Sequence, residues 1–356
     1  MRSLVVQTSF IGDVILTTPL LERLAGDGDV DVVTTPAGAT LLASHPAVSR
    51  VIVYDKRRRD GGIAGFVRVA REARGARRAY LAQGSTRSAA LALAAGCAER
   101  VGFSSSAGRW LYTECVEYRD DWHHARRLLS LAGVDRATGV TGLADDRARA
   151  NEIAPPAAAD DVIRPSLHPT LDDVAAVDAL LADREETGRA IVAVAPGSVW
   201  ATKRWPRYGE LSRLLSEDYD IALVGGAADA DAAAEIRRHV PAERIIDATG
   251  NLSLLGSAEL IRRSVAIVTN DSSPQHLAAA MGTPTVTIFG PTVPAFGFGP
   301  LAPGSITAGV DELACRPCDR HGPQRCPLGH WRCMNDITPN QVNRMIRSVI
   351  AADTVR

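Results

Sequence analysis

The chain has 356 residues, of which 46% are hydrophobic and 23% charged, and its formal net charge at pH 7 is -1. This length allows two domains of ordinary size, and the composition is typical of a soluble globular protein. The balanced charge gives no reason to expect nucleic acid as a partner. The amino terminus is too polar for a signal peptide, and no apolar run is long enough to span a membrane. We therefore expect a cytoplasmic protein.

The first part of the chain alternates between predicted strands and predicted helices. Apolar runs rich in β-branched residues indicate strands, and apolar residues at helical spacing indicate helices. The segment 137–169 contains Pro155-Pro156 and has little periodicity, so we interpret it as the edge of a first domain and a linker. Strands are predicted at residues 4–7, 30–34, 51–54 and 79–82, and helices at 14–25, 36–44, 63–74 and 88–95.

A second alternating series follows this linker. Its strands are predicted at residues 190–195, 220–224, 244–248, 265–269 and 285–289, and its helices at 171–182, 207–217, 230–239, 254–263, 274–281 and 338–352. Such alternation is typical of parallel sheets with helices on both faces. We predict the α/β class, with two Rossmann-like, doubly wound domains facing a cleft. The predicted domains are 1–165 and 166–337, the second with a Cys-rich loop at 315–333, and 338–356 is a helix that packs back on the body.

A polar loop lies at the carboxyl end of the predicted strand 265–269. The run Asn270–Ser273 follows that strand, and Pro274 fits the first helical position because it has no amide to satisfy. Ser273 is therefore the predicted N-cap. Open α/β sheets bind ligands at this edge, and amides at a helix start favour phosphate. Capping alone explains Ser273 and a surface position explains His276, but so many polar groups beside a buried strand favour a ligand site.

Asp13 lies in the loop that follows the first predicted strand, within Ser9-Phe10-Ile11-Gly12-Asp13. Two interpretations stay open. Aspartate is a good N-cap for the helix that begins here. A carboxylate at the ligand-binding edge of a sheet can also take a proton from an acceptor hydroxyl. The loop has no G-x-G-x-x-G sequence, which argues against a dinucleotide-dependent dehydrogenase.

Two further loops follow strands of the second series. In the first, Gly197 and Ser198 can expose backbone amides, while Lys203 and Arg204 add positive charge. Together they suit a diphosphate, although an ordinary loop with solvated basic residues explains the same pattern. In the second, Asp229 follows a pair of glycines. Its carboxylate can accept hydrogen bonds from ribose hydroxyls or cap the next helix.

Four of the six cysteines cluster near the carboxyl terminus, whereas Cys97 and Cys115 are isolated. In a cytoplasmic chain such a cluster indicates metal or redox chemistry before structural disulfides. Four thiolates can bind zinc tetrahedrally in a closed and therefore structural site. Reduced cysteines in a compact loop are the alternative. The clustered residues are Cys315, Cys318, Cys326 and Cys333, with His321 and His330 between them.

Arginines recur at helical spacing in the first domain. Arg68, Arg71, Arg74 and Arg78 are three or four residues apart, which predicts that they share one face of a helix, and the basic loop 56–59 precedes them. This surface is either a solvated face with scattered ion pairs or a landing surface for an anionic acceptor or anionic lipid headgroups.

Taken together, these motifs resemble glycosyltransferase family 9, the bacterial ADP-heptose:lipopolysaccharide heptosyltransferases. The matching stretches are SFIGDVILTTPLLERL, PGSVWATKRWP and NDSSPQHLAAAMGTPTVTIFGPT, which occur in the expected order over nearly the whole chain. The tail CRPCDRHGPQRCPLGHWRCMNDITP looks most like the heptosyltransferase II branch.

The resemblance implies a GT-B fold and an inverting transfer of heptose from ADP-heptose to the lipopolysaccharide inner core, with no metal or other cofactor required for catalysis. It implies an amino-terminal acceptor domain and a carboxyl-terminal nucleotide-sugar domain. By this resemblance Asp13 is the general base and Lys203 contacts the donor diphosphate. Most members of the family have glycine where this chain has Ser273. The residues implied to hold the donor phosphates and sugar are Asp271, Ser272, Ser273 and His276.

The expected partners are an ADP-sugar donor and an anionic lipopolysaccharide core acceptor, with peripheral contact at the cytoplasmic face of the inner membrane. Two other functions stay open. A nucleotide-sugar epimerase of the same fold would turn over the donor without an acceptor. A non-catalytic, zinc-stapled protein would bind anionic glycolipid and would not need Asp13 to do so.

Overall fold

The computed structural model describes residues 1–133 and 163–354. The chain divides into two compact units, Met1–His168 and Pro169–Arg356. Most of the predicted linker, including Pro155-Pro156, lies outside the described residues. Within the described part of the chain, no helix is both long and apolar enough to cross a membrane.

The first unit is built on a sheet of six parallel strands. They are Ser3–Gln7 (β1), Val30–Thr34 (β2), Arg50–Val53 (β3), Arg78–Leu81 (β4), Glu99–Phe103 (β5) and Glu114–Val116 (β6). Their order across the sheet is β3-β2-β1-β4-β5-β6. Val5 lies level with Val32 on one side and Tyr80 on the other. Every residue of β1 is buried, as expected for a central strand covered on both faces.

The helix predicted at 14–25 is two helices, separated at Thr17. Pro19, near the start of the second, has no amide to donate to the Ile15 carbonyl. The Thr18 hydroxyl donates to that carbonyl instead, at 2.9 Å. The helices of this unit are Ile11–Leu16 (α1), Thr18–Ala25 (α2), Pro36–Leu42 (α3), Gly62–Glu72 (α4), Thr86–Ala94 (α5) and His124–Ser130 (α6).

The predicted arginine face of a single helix is wrong. α4 carries Arg68 and Arg71 but ends before Arg74. Gly75 follows with a φ of 109°, a left-handed conformation that cannot continue a helix. Arg78 is the first residue of β4. The regular spacing of the arginines therefore runs across a turn at Gly75, and these residues do not share one helix face.

The second unit repeats the arrangement of the first. Its strands are Ile191–Ala195 (β7), Asp220–Leu223 (β8), Ile245–Asp247 (β9), Ala266–Asn270 (β10), Thr285–Phe289 (β11) and Ile306–Gly309 (β12). They form a second parallel sheet in the order β12-β11-β10-β7-β8-β9. If β7 to β12 are renumbered 1 to 6, this order is 6-5-4-1-2-3, which is the order of the first sheet in reverse.

The last helix of the chain packs on this second sheet. Val342, Ile346 and Val349 belong to the same buried apolar cluster as Val192 and Val268. The helices of the unit are Leu171–Leu181 (α7), Tyr208–Leu215 (α8), Ala230–Arg237 (α9), Leu254–Arg262 (α10), Ser273–Met281 (α11), Arg332–Asn335 (α12) and Pro339–Thr354 (α13).

Each sheet reverses its strand order at one place, between β1 and β4 in the first unit and between β7 and β10 in the second. The loops that leave the carboxyl ends of these strands border a crevice, which is where open α/β sheets bind ligands. The predicted site residues near positions 13, 198–204 and 270–276 all follow such strands.

Candidate functional site

In the first unit, the loop after β1 carries Asp13 to the carboxyl edge of the sheet. α1 begins at Ile11 with Phe10 as its N-cap residue, so Asp13 is the third residue of the helix. The interpretation of Asp13 as the N-cap is therefore wrong. Its carboxylate instead accepts a hydrogen bond from the Phe10 backbone amide, as an acidic residue at this position commonly does.

A cavity of about 180 Å³ opens beside Asp13 within the first unit. Its position next to the ends of β1 and β4 is the switch point of the sheet. The walls combine amide, hydroxyl, phenol and imidazole groups, which suit a ligand rich in hydroxyls. The polar side chains that line it with Asp13 are Gln7, Ser9, Gln83, Ser105, Ser106, Tyr118 and His124.

Asp13 is placed to accept a proton. Its side chain is 20% exposed, and burial raises its pKa from 3.8 to about 6, opposed in part by the hydrogen bond from Phe10. A carboxyl group with such a pKa is ionised at neutral pH and is a stronger base than an ordinary aspartate. Nε2 of His124 lies 3.6 Å from Oδ1 of Asp13, so a second group that can carry a proton faces the same cavity.

Arg127 fixes the residues that bring His124 and Tyr118 to the cavity. It is 1% exposed, and its guanidinium donates to the carbonyls of Arg119 and Asp120 at 2.5 and 2.6 Å. It also donates to the Tyr118 hydroxyl at 2.9 Å. A buried charge bonded in this way is costly to disturb, so α6 and the segment before it are held in one arrangement.

The basic loop of the first unit contributes fewer free charges than its sequence indicates. The Lys56 ammonium donates to the carbonyl and hydroxyl of Thr8 at 3.2 and 3.0 Å, which ties this loop to the one that follows β1. Asp60 is 1% exposed and pairs with Arg68 at 2.8 Å. Arg57, Arg58 and Arg59 remain exposed, although Nε of Arg59 lies 3.5 Å from Oδ1 of Asp60. These exposed cations can meet an anion.

In the second unit, Asn270 ends β10 and joins it to the loop after β7. Its side chain is completely buried. Oδ1 accepts from the Trp205 amide and the Tyr208 hydroxyl, both at 3.1 Å, and Nδ2 donates to the Pro196 carbonyl at 2.8 Å. A buried amide with this many bonds sets the position of the backbone around it.

Lys203 and Asp271 meet at this edge as a buried ion pair. Nζ lies 2.6 Å from Oδ2, and each side chain is 10% exposed. Asp271 also accepts from the Thr292 hydroxyl at 2.7 Å and from the Gln275 amide at 3.0 Å. An ammonium has three donors and Asp271 uses one of them, so the carboxylate positions Lys203 without exhausting its capacity to bind an anion.

The helix α11 begins one residue earlier than the sequence predicts. Its N-cap residue is Ser272, and Ser273 is the first helical residue. Proline is tolerated at the second position as well as the first, because amides there have no partner within the helix. The Ser272 hydroxyl donates to the Gly197 carbonyl at 3.3 Å. His276 is only 5% exposed, so its interpretation as a surface residue is wrong.

The remaining predicted donor-site residues lie around the loop after β7. Arg204 is exposed, and its Nε donates to the Ser198 carbonyl at 2.8 Å. The Ser198 hydroxyl accepts from the Trp200 amide at 3.3 Å. Asp229 accepts from the amide three residues before it at 2.9 Å. A Cβ at Gly197 would come within 2.2 Å of the Asp229 carboxylate, so a larger residue there would displace that side chain.

The six cysteines are all free thiols. In the described part of the chain, no three of the four sulfurs of the Cys-rich loop lie mutually within 4.8 Å. Cys315 Sγ lies 3.8 Å from Nε2 of His330, and the Cys318 thiol donates to the Cys315 carbonyl at 3.1 Å. Burial acts to raise the pKa of Cys326, but hydrogen bonds from the backbone amides of residues 328–331 lower it. Those amides favour a thiolate at Cys326.

Three residues of types that bind metals lie close together in the first unit. They are Glu22, His45 and His168, and one possible ligand atom of each lies within 4.8 Å of the others. Burial, with His168 nearby, lowers the pKa of His45 to about 4. Nδ1 of His45 accepts from the Ala47 amide at 3.2 Å. That bond places the ring proton on Nε2, which lies 3.1 Å from the Ser166 hydroxyl. The arrangement is therefore a hydrogen-bonded network rather than an open metal site.

Comparison with known proteins identifies the family. The model described as glycosyltransferase family 9 (heptosyltransferase) matches residues 67–328, well over half of the chain. The chain belongs to glycosyltransferase family 9. It is 31% identical over 173 residues to the lipooligosaccharide heptosyltransferase 2 of Haemophilus influenzae, a match that covers 46% of this chain and 48% of that protein. The chain thus matches about half the length of this curated family 9 relative.

Solved structures of family 9 proteins share the fold along almost the whole chain. A glycosyltransferase family 9 protein from Veillonella parvula superimposes with a TM-score of 0.81 at 21% identity, covering 99% of this chain and 97% of the other. The ADP-heptose lipopolysaccharide heptosyltransferase II of E. coli gives 0.74 at 24% identity, covering 99% and 100%. The predicted α/β class of GT-B type, with two doubly wound parallel sheets, is confirmed.

The sequence alone did not single out several residues of the candidate site. No element was predicted between 98 and 136, so His124 and Tyr118 were missed. The run Ser104–Ser106 directly after β5 was a usable signal, because polar residues at the end of a buried strand mark the ligand edge of a sheet. Gln275 and Thr292 carried no comparable signal, since their role depends on contact with Asp271.

Proposed function

We propose that this family 9 protein is an inverting, metal-independent heptosyltransferase that moves heptose from ADP-heptose to the lipopolysaccharide inner core. Family membership supports glycosyl transfer. The names of two matched relatives, a lipooligosaccharide heptosyltransferase 2 and a lipopolysaccharide heptosyltransferase 2, support the sugar and the acceptor class.

The observation that carries the proposal is the carboxyl group of Asp13 in its polar cavity. Burial raises the pKa of Asp13 to about 6. A general base is most effective when its pKa lies near the pH at which the enzyme works, and the raised pKa of Asp13 is closer to neutral pH than that of an ordinary aspartate. In the proposed step, Asp13 takes the proton of an acceptor hydroxyl while the hydroxyl oxygen forms a bond to the anomeric carbon. The bond from that carbon to the phosphate oxygen breaks, and its electron pair leaves with ADP. Attack opposite the leaving group inverts the anomeric centre.

The departing ADP gathers negative charge, which the second unit is equipped to stabilise. Lys203 supplies an ammonium fixed at 2.6 Å from Asp271, and Arg204 is exposed one residue away. The start of α11 adds backbone amides and the positive end of the helix dipole. We propose that Ser198, Asp229 and His276 contact other parts of the same nucleotide sugar, with Ser272 and Ser273 near its phosphates.

We propose an anionic acceptor and a cytoplasmic location, with peripheral contact at the inner membrane. Exposed Arg57 and Arg58 support this, because exposed cations attract phosphate and carboxylate groups of a core oligosaccharide or of lipid headgroups. The six free thiols are consistent with a reducing compartment.

We propose separately that a structural zinc ion binds to four cysteines, Cys315, Cys318, Cys326 and Cys333. The amides that favour a thiolate at Cys326 support it, since thiolate is the form that binds zinc. Zinc binding would require the sulfurs to draw closer together than they lie here. Metal analysis of the protein purified without chelator tests this point, and a zinc content well below one per chain contradicts it.

A transfer assay tests the function. Purified protein is mixed with ADP-heptose and a core-oligosaccharide acceptor, in the presence and absence of EDTA, and the product linkage is assigned by NMR. We expect acceptor-dependent release of ADP, an inverted anomeric configuration and no loss with EDTA. Release of a changed nucleotide sugar without acceptor would instead identify an epimerase, and a retained configuration would contradict the proposed mechanism.

A further inference from the structure

The Cys-rich loop 315–333 is unexplained by the proposed reaction, yet it is in close contact with the loop that carries Lys203. The Gln324 side chain makes two hydrogen bonds to that loop. Its Oε1 accepts from the Ala201 amide and its Nε2 donates to the Val199 carbonyl, both at 3.1 Å. One side chain therefore satisfies a donor and an acceptor of the backbone just before Lys203.

Neighbouring residues of the Cys-rich loop reinforce this contact. The Thr202 hydroxyl donates to the Pro323 carbonyl. The rings of His321 and Trp200 stack with centroids 6.0 Å apart and planes 18° from parallel. Four consecutive residues of the Cys-rich loop, 321–324, thus touch the segment 199–203.

Gly322 lies directly on Lys203. Its φ is 84°, a conformation that favours glycine. A Cβ at this position would lie 3.4 Å from Cε of Lys203 and 3.2 Å from the Thr202 hydroxyl. The Cys-rich loop therefore covers the aliphatic part of the lysine side chain, while its ammonium is held by Asp271.

The beginning of the Cys-rich loop is attached to the segment that holds the other partner of the ion pair, Asp271. The Cys318 amide donates to the Pro291 carbonyl at 2.9 Å. Arg316 donates to the carbonyls of Phe289 and Thr292 at 3.0 and 3.1 Å. Thr292 is the residue whose hydroxyl bonds to Asp271. The loop thus spans from the partner of Asp271 to the segment that carries Lys203.

We propose that the Cys-rich loop is a clamp that fixes the Lys203 segment for binding of the donor diphosphate, and that Gln324 is a positioning residue in it. The inference deepens the proposed function and rests on it for the identity of the anion. Gln324 acts through Lys203 and does not touch the donor. Without the clamp, residues 199–203 sample other conformations, and each binding event must first order them.

The test compares Gln324→Ala with Leu328→Ala, a matched control because Leu328 lies in the same loop and is 65% exposed. Amide hydrogen exchange of the ligand-free proteins measures the clamp directly. We expect faster exchange at residues 199–203 in Gln324→Ala and unchanged exchange there in Leu328→Ala. Thermal unfolding of both variants shows whether the whole unit is still folded.

Calorimetry with ADP measures the consequence for binding. We expect about tenfold weaker ADP binding in Gln324→Ala, because part of the binding free energy is then spent on ordering residues 199–203. We expect no change in Leu328→Ala. In a Lys203→Ala background, Gln324→Ala should cause no further loss, because its effect passes through the lysine. In transfer, KM for the donor should rise more than kcat falls.

The outcomes separate the clamp from the proposed function. Unchanged exchange at 199–203 in Gln324→Ala overturns the clamp, as does a loss of ADP affinity that persists in the Lys203→Ala background. If the wild-type protein does not bind ADP, the proposed donor is wrong, while the exchange experiment still decides whether Gln324 orders the loop.

Discussion

The ammonium of Lys203 lies 2.6 Å from the carboxylate of Asp271, and both side chains are nine-tenths buried. One comes from the loop after β7 and the other from the end of β10, so the pair joins the two strands between which the sheet order reverses. Two further donors, from Thr292 and Gln275, hold the carboxylate. The lysine is therefore preorganised before any anion arrives.

Removal of one partner of this ion pair should lower the free energy of unfolding of the second unit more than removal of both partners. Asp271→Ala leaves the Lys203 ammonium buried without its carboxylate, at a cost of about 3–5 kcal/mol. Asp271→Ala combined with Lys203→Met removes the charge with a side chain of similar size and should recover much of that loss. Urea unfolding at pH 7 measures both free energies. If the double variant is as unstable as the single one, the pair is not the source of the effect.

Asp13→Ala should abolish most turnover without loss of donor binding. Removal of a general base typically slows a reaction by about 10²–10⁴-fold, while the nucleotide contacts proposed for Lys203 and Arg204 are untouched. Steady-state kcat and ADP calorimetry check the two halves of this expectation, and Asp13→Asn serves as the control of matched shape. Turnover near that of the wild type in both variants would exclude Asp13 as the base.

Activity should rise with pH and level off above about 6. Burial raises the pKa of Asp13 to about 6, and only the ionised carboxylate can accept the acceptor proton. A profile of kcat/KM between pH 4.5 and 8 should therefore show an acidic limb with that midpoint. The limb should be absent from the residual activity of Asp13→Asn. A limb near pH 4, where an ordinary aspartate titrates, would contradict the assignment.

The same carboxyl group should weaken the fold at neutral pH. Its pKa is about 6 in the folded protein against an ordinary 3.8, so the unfolded chain releases this proton at lower pH than the folded one. Stability is therefore lost as the pH rises from about 4 to about 6 and stays reduced above that. At pH 7.5 the free energy of unfolding of Asp13→Asn should therefore exceed that of the wild type by on the order of 1–3 kcal/mol. The gain should vanish near pH 4, and denaturation at both pH values tests this.

Asn270→Ala should destabilise the second unit strongly. Its buried side chain serves the Trp205 amide, the Tyr208 hydroxyl and the Pro196 carbonyl, and these groups lose their partner inside the protein. We expect a loss of about 2–4 kcal/mol in chemical denaturation. Asn251→Ala, at an exposed position, is the control and should change stability by less than about 0.5 kcal/mol. Equal effects of the two variants would contradict this role for Asn270.

The sequence by itself determined the alternation of strands and helices, and with it the parallel sheets. Strands buried on both faces are usually close to continuously apolar, so runs such as Ile191–Ala195 are visible without any knowledge of contacts. Element ends were less secure. Pro19 split one predicted helix, and the turn at Gly75 separated Arg78 from the helix face predicted for it, because backbone geometry at one residue outweighs the spacing of the side chains around it.

The sequence also placed Asp13, Lys203 and Asp271 at strand ends, because residues directly after a buried strand must lie at the edge of the sheet. It did not show that Lys203 and Asp271 bind each other, or that His124 faces Asp13. Those pairs join residues 68 and 111 positions apart in the chain, and only the packing of the strands brings them together. Burial decided the rest: the same aspartate is an ordinary acid in water and a base with a pKa of about 6 in its cavity.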